Sequence, residues 1–310
     1  MSFSATAKAE VCRTNTGNEC CELAELCALI HTAGSISISG GGFSLRIDTE
    51  NAAVARRVFL LLKNLYGIQA KTQMHTNQLK RNHIYSLSVE KSAARMVAVD
   101  TRLLGDEGFN FDTDTTFLTD HCCRIAFVRG AFLGGGSITN PEKRYHMEFV
   151  CGQKEFAQTL LNIIVELGVS AKMILRSKSY VVYIKEGDAI VTLLTMMGAY
   201  TSMLNIENIR VLKSVRNSVN RKVNCETGNL SKTVNASVKQ QESIELIRTH
   251  MGLDKLAPGL KEVAEARISY PEATLEELAN LLGAVSKSGI NHKLRKLNSI
   301  AEHLKMTREE

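Results

Sequence analysis

Along residues 23–33 apolar side chains recur at intervals of three and four, and the run stops at Gly34. That spacing predicts a helix with a glycine just past its end. The period then falls to two. Residues 35–39 and 43–48 alternate on either side of Gly40, Gly41 and Gly42, the pattern of two strands joined by a turn. Residues 51–66 return to helical spacing, with Asn51 as cap and Gly67 as stop. Strand patterns near residues 68–75 and 83–90 follow, then a helix near 92–104. The order then repeats: a helix at 125–133, strands near 137–139 and 145–151, and a helix at 154–167 closed by Gly168. Strands at 171–177 and 180–185 and a helix at 188–197 complete it. The pattern predicts an α+β fold, αββαββα twice, in halves of about residues 1–104 and 121–200.

The second series copies the first. CCELAELCALIHTAGSI, residues 20–36, aligns without a gap on CCRIAFVRGAFLGGGSI, residues 122–138, at an offset of 102 with six of 17 positions identical. A period of about 100 residues is too long for a solenoid and points to a duplicated half-domain with pseudo-twofold symmetry. Both opening helices carry small residues toward their ends: Ala28, Thr32, Ala33 and Gly34 in one, Gly130, Gly134, Gly135 and Gly136 in the other. A flexible loop or a phosphate cradle would also use glycine. Neither explains why the counterpart sits at the end of an equivalent helix, and no P-loop lysine follows. Two helices meeting along small faces fit both observations.

This arrangement resembles the LAGLIDADG homing endonucleases. The resemblance implies a metal-ligating acid just before the glycine of each half, and those positions are Ala33 and Gly135 here. Neither offers the oxygen ligand that a hard divalent cation needs. The expectation is a nuclease-like scaffold with no catalytic residue and no metal site of that kind. Strand residues Lys172, Arg176 and Lys178 share one face by alternation, with Met173 and Leu175 directed to the core. Arg46, Lys71, Lys143 and Arg144 also lie on or near strands, so weak, unspecific DNA contact is the most expected of this part.

Residues 201–256 read as a basic helical connector. Residues 206–222 set Arg210, Lys213, Arg216, Arg221 and Lys222 on a helical pattern with Val211, Leu212, Val215 and Val219. Asn224-Cys225-Glu226-Thr227 then interrupts before a helix near 231–250. These cations serve either as a solvated surface or as accessory DNA contacts.

Residues 257–310 form a separate module. Residues 260–268 are helical, and Thr274-Leu275-Glu276-Glu277 has the form of a capping box. The helix it opens puts Leu275, Leu278, Ala279 and Leu282 on one face and ends at Gly283. A second helix from about Ser286 carries Ile290, Leu294 and Leu297 on its apolar stripe. This is the pattern of a helix-turn-helix, with a turn one residue longer than the commonest form. Opposite the stripe stand Ser288, Asn291, His292, Arg295 and Ser299, flanked by Lys287, Lys293 and Lys296. Arg and Asn side chains can read base edges, and lysines can meet phosphates. The candidate DNA-binding residues are therefore Ser286, Lys287, Ser288, Asn291, His292, Lys293, Arg295 and Lys296. The competing reading is an ordinary solvated amphipathic helix.

Composition changes this picture little. The 310 residues are 44% apolar and 23% charged, as in an ordinary globular chain, with net charge +6. No apolar run approaches a membrane span, and no signal peptide opens the chain. Residues 105–120 carry five acidic and no basic side chains, an acidic linker between the halves. Eight cysteines fit a reducing, cytoplasmic compartment. Two adjacent pairs, Cys20-Cys21 and Cys122-Cys123, lack the two-to-four-residue separation of structural zinc sites, so spacing gives no metal and no cofactor.

A LAGLIDADG-like scaffold followed by a helix-turn-helix resembles the WhiA family of bacterial regulators. The resemblance is carried by SFSATAKAE, CCELAELCALI, RGAFLGGGSITNPEKRYHMEF, NCETGNLSKTVNAS and PEATLEELANLLGAVSKSGINHKLRKLNSIAEHL. At positions 134 and 228 the family pattern more often has Ala than the Gly found here. The resemblance implies sequence-specific binding of double-stranded DNA without catalysis, at the nucleoid. It also implies roles in transcription regulation, cell division and chromosome segregation, with sporulation in some lineages, and partners among regulatory or division proteins. The alternatives are a division-linked interaction scaffold with secondary DNA binding, and an active homing endonuclease.

Overall fold

The computed structural model describes residues 2–15, 18–39, 42–77, 82–105, 108–109, 117–283 and 286–306. It begins with a helix that the sequence pattern did not mark, α1 (Phe3–Val11), capped by the Ser2 hydroxyl, which accepts from the Ala5 N–H (3.2 Å). The first repeat follows as α2 (Glu19–Ala33), β1 (Gly34–Ser39), β2 (Gly42–Thr49), α3 (Ala52–Tyr66), β3 (Lys71–Asn77), β4 (Asn82–Glu90) and α4 (Lys91–Asp100). A two-residue ladder of β5 (Leu104–Gly105) with β6 (Gly108–Phe109) leads toward the second repeat. That repeat is α5 (His121–Gly135), β7 (Gly136–Ile138), β8 (Met147–Cys151), α6 (Lys154–Glu166), β9 (Lys172–Arg176), β10 (Ser179–Ile184) and α7 (Gly187–Met196).

Both sheets are antiparallel with one order, β1-β2-β4-β3 and β7-β8-β10-β9, so the expected αββαββα duplication is the fold. The Gly40-Gly41 part of the first hairpin turn and most of the acidic linker lie outside the described residues. Asn51 caps α3, its side-chain oxygen accepting from the Ala53 N–H (2.9 Å), and Gly67 ends the helix at φ +64°. A left-handed residue there favours glycine. The helix expected at 92–104 is shorter, stopping at Asp100. Leu175, expected in the core, is 63% exposed on the edge strand β9, whereas Met173 packs against the core. Alternation gives the face a side chain takes, not how far that face is covered at the edge of the sheet.

The 15-residue helices α2 and α5 cross at the centre of this unit. A β-carbon placed on Gly130 would stand 2.0 Å from the Glu25 backbone oxygen, and one on Gly134 would stand 2.0 Å from Thr32 Oγ1. No ordinary side chain fits at those distances, so the glycines bring the two backbones together. The small-residue seam read from the sequence is the packing contact between the halves.

Glu25 lies inside the crossing, fully buried. Arg57 of α3 grips it through Nε (2.7 Å) and Nη2 (2.9 Å), and Arg129 of α5 donates from Nε (3.0 Å). One carboxylate thus joins cations from both halves. In α1, Glu10 accepts from the Thr201 and Ser202 N–H groups and from Ser202 Oγ (2.8 Å). Burial opposes ionisation of Glu10, but these hydrogen bonds hold its carboxyl below the usual value.

The chain divides into two compact units, Met1–Leu212 and Lys213–Glu310. The division falls inside α8 (Tyr200–His250), a helix of 51 residues. The interruption expected at 224–227 is therefore absent: Asn224, Thr227 and Gly228 are helical. One glycine in a helix interior costs about 1 kcal/mol, too little to end a helix that has no proline. In the second unit α9 (Pro258–Ser269), α10 (Leu275–Leu281) and α11 (Lys287–Met306) surround a core of Leu260, Val263, Leu278, Ile290, Leu294 and Leu297. Ile244 and Ile247 of α8 belong to the same core.

Two sets of variants test this account by thermal unfolding. Gly130→Ala forces backbone against backbone and should destabilise the first unit by about 1–3 kcal/mol or more. Gly228→Ala meets nothing within 4 Å and should stabilise the second by about 0.5–1 kcal/mol. Glu25→Ala strands two buried guanidinium groups and should cost about 3–5 kcal/mol. An unchanged melting temperature for Gly130→Ala or Glu25→Ala would mean that the crossing relaxes around them.

Candidate nucleic-acid interface

The capping box forms in full. Glu277 N–H donates to Thr274 Oγ1 (3.3 Å) and Thr274 N–H donates to Glu277 Oε2 (2.7 Å), which starts α10. These bonds hold the Glu277 carboxyl below its usual range. Gly283 at φ +68° turns the chain, residues 284–285 lie outside the described set, and Ser286 restarts it. Ser286 Oγ accepts from the Gly289 N–H (3.2 Å) and its carbonyl from the Ile290 N–H (3.0 Å). Ile290, Leu294, Leu297 and Ala301 then bury one stripe of α11.

Arg267, which the sequence gave no reason to single out, is buried at the joint. Its Nη1 donates to the Ala273 carbonyl (2.6 Å), holding the loop between α9 and α10, and Ser237 Oγ donates to Pro271 O in the same loop. Burial lowers the Arg267 pKa.

The candidate reading residues separate into three groups. Ser288, His292, Arg295 and Lys296 are exposed on the side of α11 away from its core, and among the described residues no carboxylate pairs with Arg295 or Lys296. Asn291 and Lys293 are half-buried at the margins. Asn291 lines a groove with Lys232, Thr233 and Arg267, and Lys293 Nζ lies against Gly259 at the start of α9. Lys287 pairs at 3.5 Å with the equally exposed Glu276, and the Ser286 hydroxyl caps the helix. The exposed face is thus narrower than the set expected from the sequence.

The connector cations do not act alike. Arg210 is engaged by Asp188 and by Glu207 (2.6 Å) within the first unit. Lys213 is half-buried, whereas Arg216, Arg221 and Lys222 are exposed. At about 100° per residue those three point in different directions around α8 and form no single stripe.

Three strand cations of the first unit have acidic neighbours, whereas Lys172, Lys178, Lys143 and Arg144 are exposed. Arg46 pairs with Asp48 (2.9 Å), Lys71 with Glu90 (3.0 Å) and Arg176 with Glu148 (2.9 Å). The Arg176 guanidinium, helped by His146, holds the Glu148 carboxyl below its usual value. Ala33 and Gly135 stand at the ends of α2 and α5, where a β-carbon on Gly135 would meet the Val150 carbonyl at 2.4 Å and Thr32 at 3.3 Å. In the last turn of α5 Lys8 Nζ donates to the Leu133 carbonyl (3.0 Å), and burial lowers the Lys8 pKa to about 8.

Three family profiles match this chain: the WhiA N-terminal LAGLIDADG-like domain over residues 19–104, the WhiA LAGLIDADG-like domain over 124–216, and the WhiA C-terminal HTH domain over 219–301. The chain belongs to the WhiA family. Among curated relatives, the probable cell division protein WhiA of Clostridium beijerinckii is 45% identical over 99% of this chain and 100% of its own. That of Alkaliphilus oremlandii is 44% identical over 98% of each. The crystal structure of full-length DUF199/WhiA from Thermatoga maritima superposes with a TM-score of 0.60 at 27% identity, covering 98% of this chain and 99% of the other. The WhiA C-terminal match begins at residue 219, so it takes in most of the second-unit part of α8 as well as the three helices after it. No helix among the described residues is long and apolar enough to cross a membrane.

Proposed function

We propose that this WhiA-family chain is a sequence-specific binder of double-stranded DNA that reads its site through α11. The observation that carries this reading is the contrast between two cationic surfaces. Arg295 and Lys296 stand exposed on a capped helix with no carboxylate partner among the described residues, whereas Arg46, Lys71 and Arg176 each have a carboxylate within 3.0 Å. Paired charges release few counterions on meeting phosphate, so the second unit offers the stronger electrostatic attraction. Arg295 reads a base edge, with His292 and Ser288 beside it on the same face. Lys296 meets phosphate, and Lys287 and Lys293 join it when their present contacts open. Asn291 contributes at the edge of the reading face, while Ser286 positions the helix. Arg216, Arg221 and Lys222 supply accessory phosphate contacts, with Lys213 and Arg210 lesser ones.

The first unit, on this reading, is a non-catalytic scaffold that presents protein-binding surface. The positions that would bear metal-ligating acids are Ala33 and Gly135, and Thr32 closes the space between them. The cellular role is transcription regulation tied to cell division and chromosome segregation at the nucleoid. It is supported by the family membership and by the relatives named as probable cell division proteins.

Binding measurements on the full chain separate the roles. Arg295→Ala should cost about 1–3 kcal/mol at a cognate site selected from random DNA and should relax sequence preference. Equal loss on every sequence would make Arg295 a phosphate contact. Lys296→Ala should weaken binding to all sequences alike and lower the salt slope by about 1. Supercoiled plasmid carrying the selected site should stay uncut with magnesium or manganese, and a site-specific nick would restore the endonuclease reading.

A further inference from the structure

Four thiols meet where the seam helices begin. Cys20 and Cys21 lie in the first turn of α2, and Cys122 and Cys123 in the first turn of α5. Neither pair has metal-site spacing within its own stretch of chain, yet the pseudo-twofold axis brings the two pairs together. Cys21 Sγ and Cys123 Sγ are 3.9 Å apart. The sulfurs of Cys20, Cys21 and Cys123 all lie within 4.8 Å of one another, as do those of Cys122 and Cys123 with an Asp120 oxygen. Cys123 belongs to both groups and links the outer Cys122 to the Cys20–Cys21 pair. All four are free thiols, the inner two buried and the outer two exposed.

That spacing has a chemical meaning. Four thiolates held about 2.3 Å from a tetrahedral zinc ion stand about 3.8 Å from one another, close to the distance seen across the inner pair. Thiolate donors select soft or borderline ions such as zinc over magnesium or calcium. Two helix N-termini converge on the cluster, and their positive ends favour sulfur as thiolate. Thiols bind such an ion as thiolates, so uptake releases protons and depends on pH.

We propose that Cys20, Cys21, Cys122 and Cys123 form a four-thiolate site for one zinc-class ion, shared by the two halves at the N-terminal end of the seam. Binding exchanges the four thiol protons, released to solvent, for one dication held by four Zn–S bonds. The ion ties α2 to α5 at the end opposite the Gly134 and Gly135 contacts, and Asp120 stands beside the outer pair.

The test uses the full-length chain, reduced and stripped with a chelator, and cobalt(II) alone as the first probe. One equivalent should give thiolate-to-cobalt charge-transfer bands with intense tetrahedral d–d absorption, and zinc should displace it. Cys20→Ser/Cys122→Ser changes only exposed positions, so the apo variant should melt with the apo parent. Its zinc affinity, measured by chelator competition, should fall more than about tenfold. Cys225→Ser, on the exposed surface of α8, should bind as the parent does. Absence of the thiolate–cobalt spectrum would overturn the proposal. So would equal zinc affinity in the double variant, or oxidation of the four thiols to disulfides with no metal taken up.

Discussion

The first unit depends on a contact that only glycine permits. At Gly130 the backbone of α5 lies so close to that of α2 at Glu25 that a single added carbon would overlap a carbonyl oxygen. With the helices at that separation, one sheet can hang from each in the same strand order, and the duplicated halves become one core. The same closeness sets Arg129 within reach of Glu25, so a buried carboxylate has a cation from each side. Such a triad adds little to stability over a well-packed apolar substitute, but it penalises any arrangement that separates the halves.

At the far end of the seam the two helices end in small residues packed closely together. The residues before the terminal glycines are alanine and glycine, Thr32 fills the gap, and the Lys8 amine caps α5. A positive group at a helix C-terminus satisfies an orphan carbonyl and suits the helix dipole. On the strands, Arg46, Lys71 and Arg176 are each held by a neighbouring carboxylate.

Much of this was legible in the order of residues. The two periods, 2 and 3.6, gave the αββαββα series, and Asn51, Gly67, Thr274 and Gly283 marked ends that the structure keeps. The seam was legible because small residues sat at equivalent positions 102 residues apart. Other features had no local trace. Helix α1 buries only Ala7 and Val11, too few positions to show a period. Glu25 finds its partners 32 and 104 residues away, and nothing near Glu25 in sequence distinguishes it from a surface acid. The interruption read at Asn224–Thr227 failed because weak helix formers do not end a helix that has turns on both sides. On α11 the apolar stripe fixed the buried face correctly. It did not show that Asn291 and Lys293 would be drawn toward α8 and α9, which are neighbours only in the folded unit.

The distance along the chain between α2 and α5 also sets an order of events during synthesis. The side of α2 that bears Glu25, Leu29 and Thr32 lies against Gly130 and Gly134 of α5, which leaves the ribosome later. At about 5–20 residues per second, the 102-residue offset corresponds to about 5–20 s before the matching position of α5 is made. The rest of the first half is made within that interval, and once it is complete α2 still lacks the cover of α5, with Arg57 as the one cation already at Glu25. It is then a surface for a chaperone to hold, or for another nascent chain of the same protein to pair with.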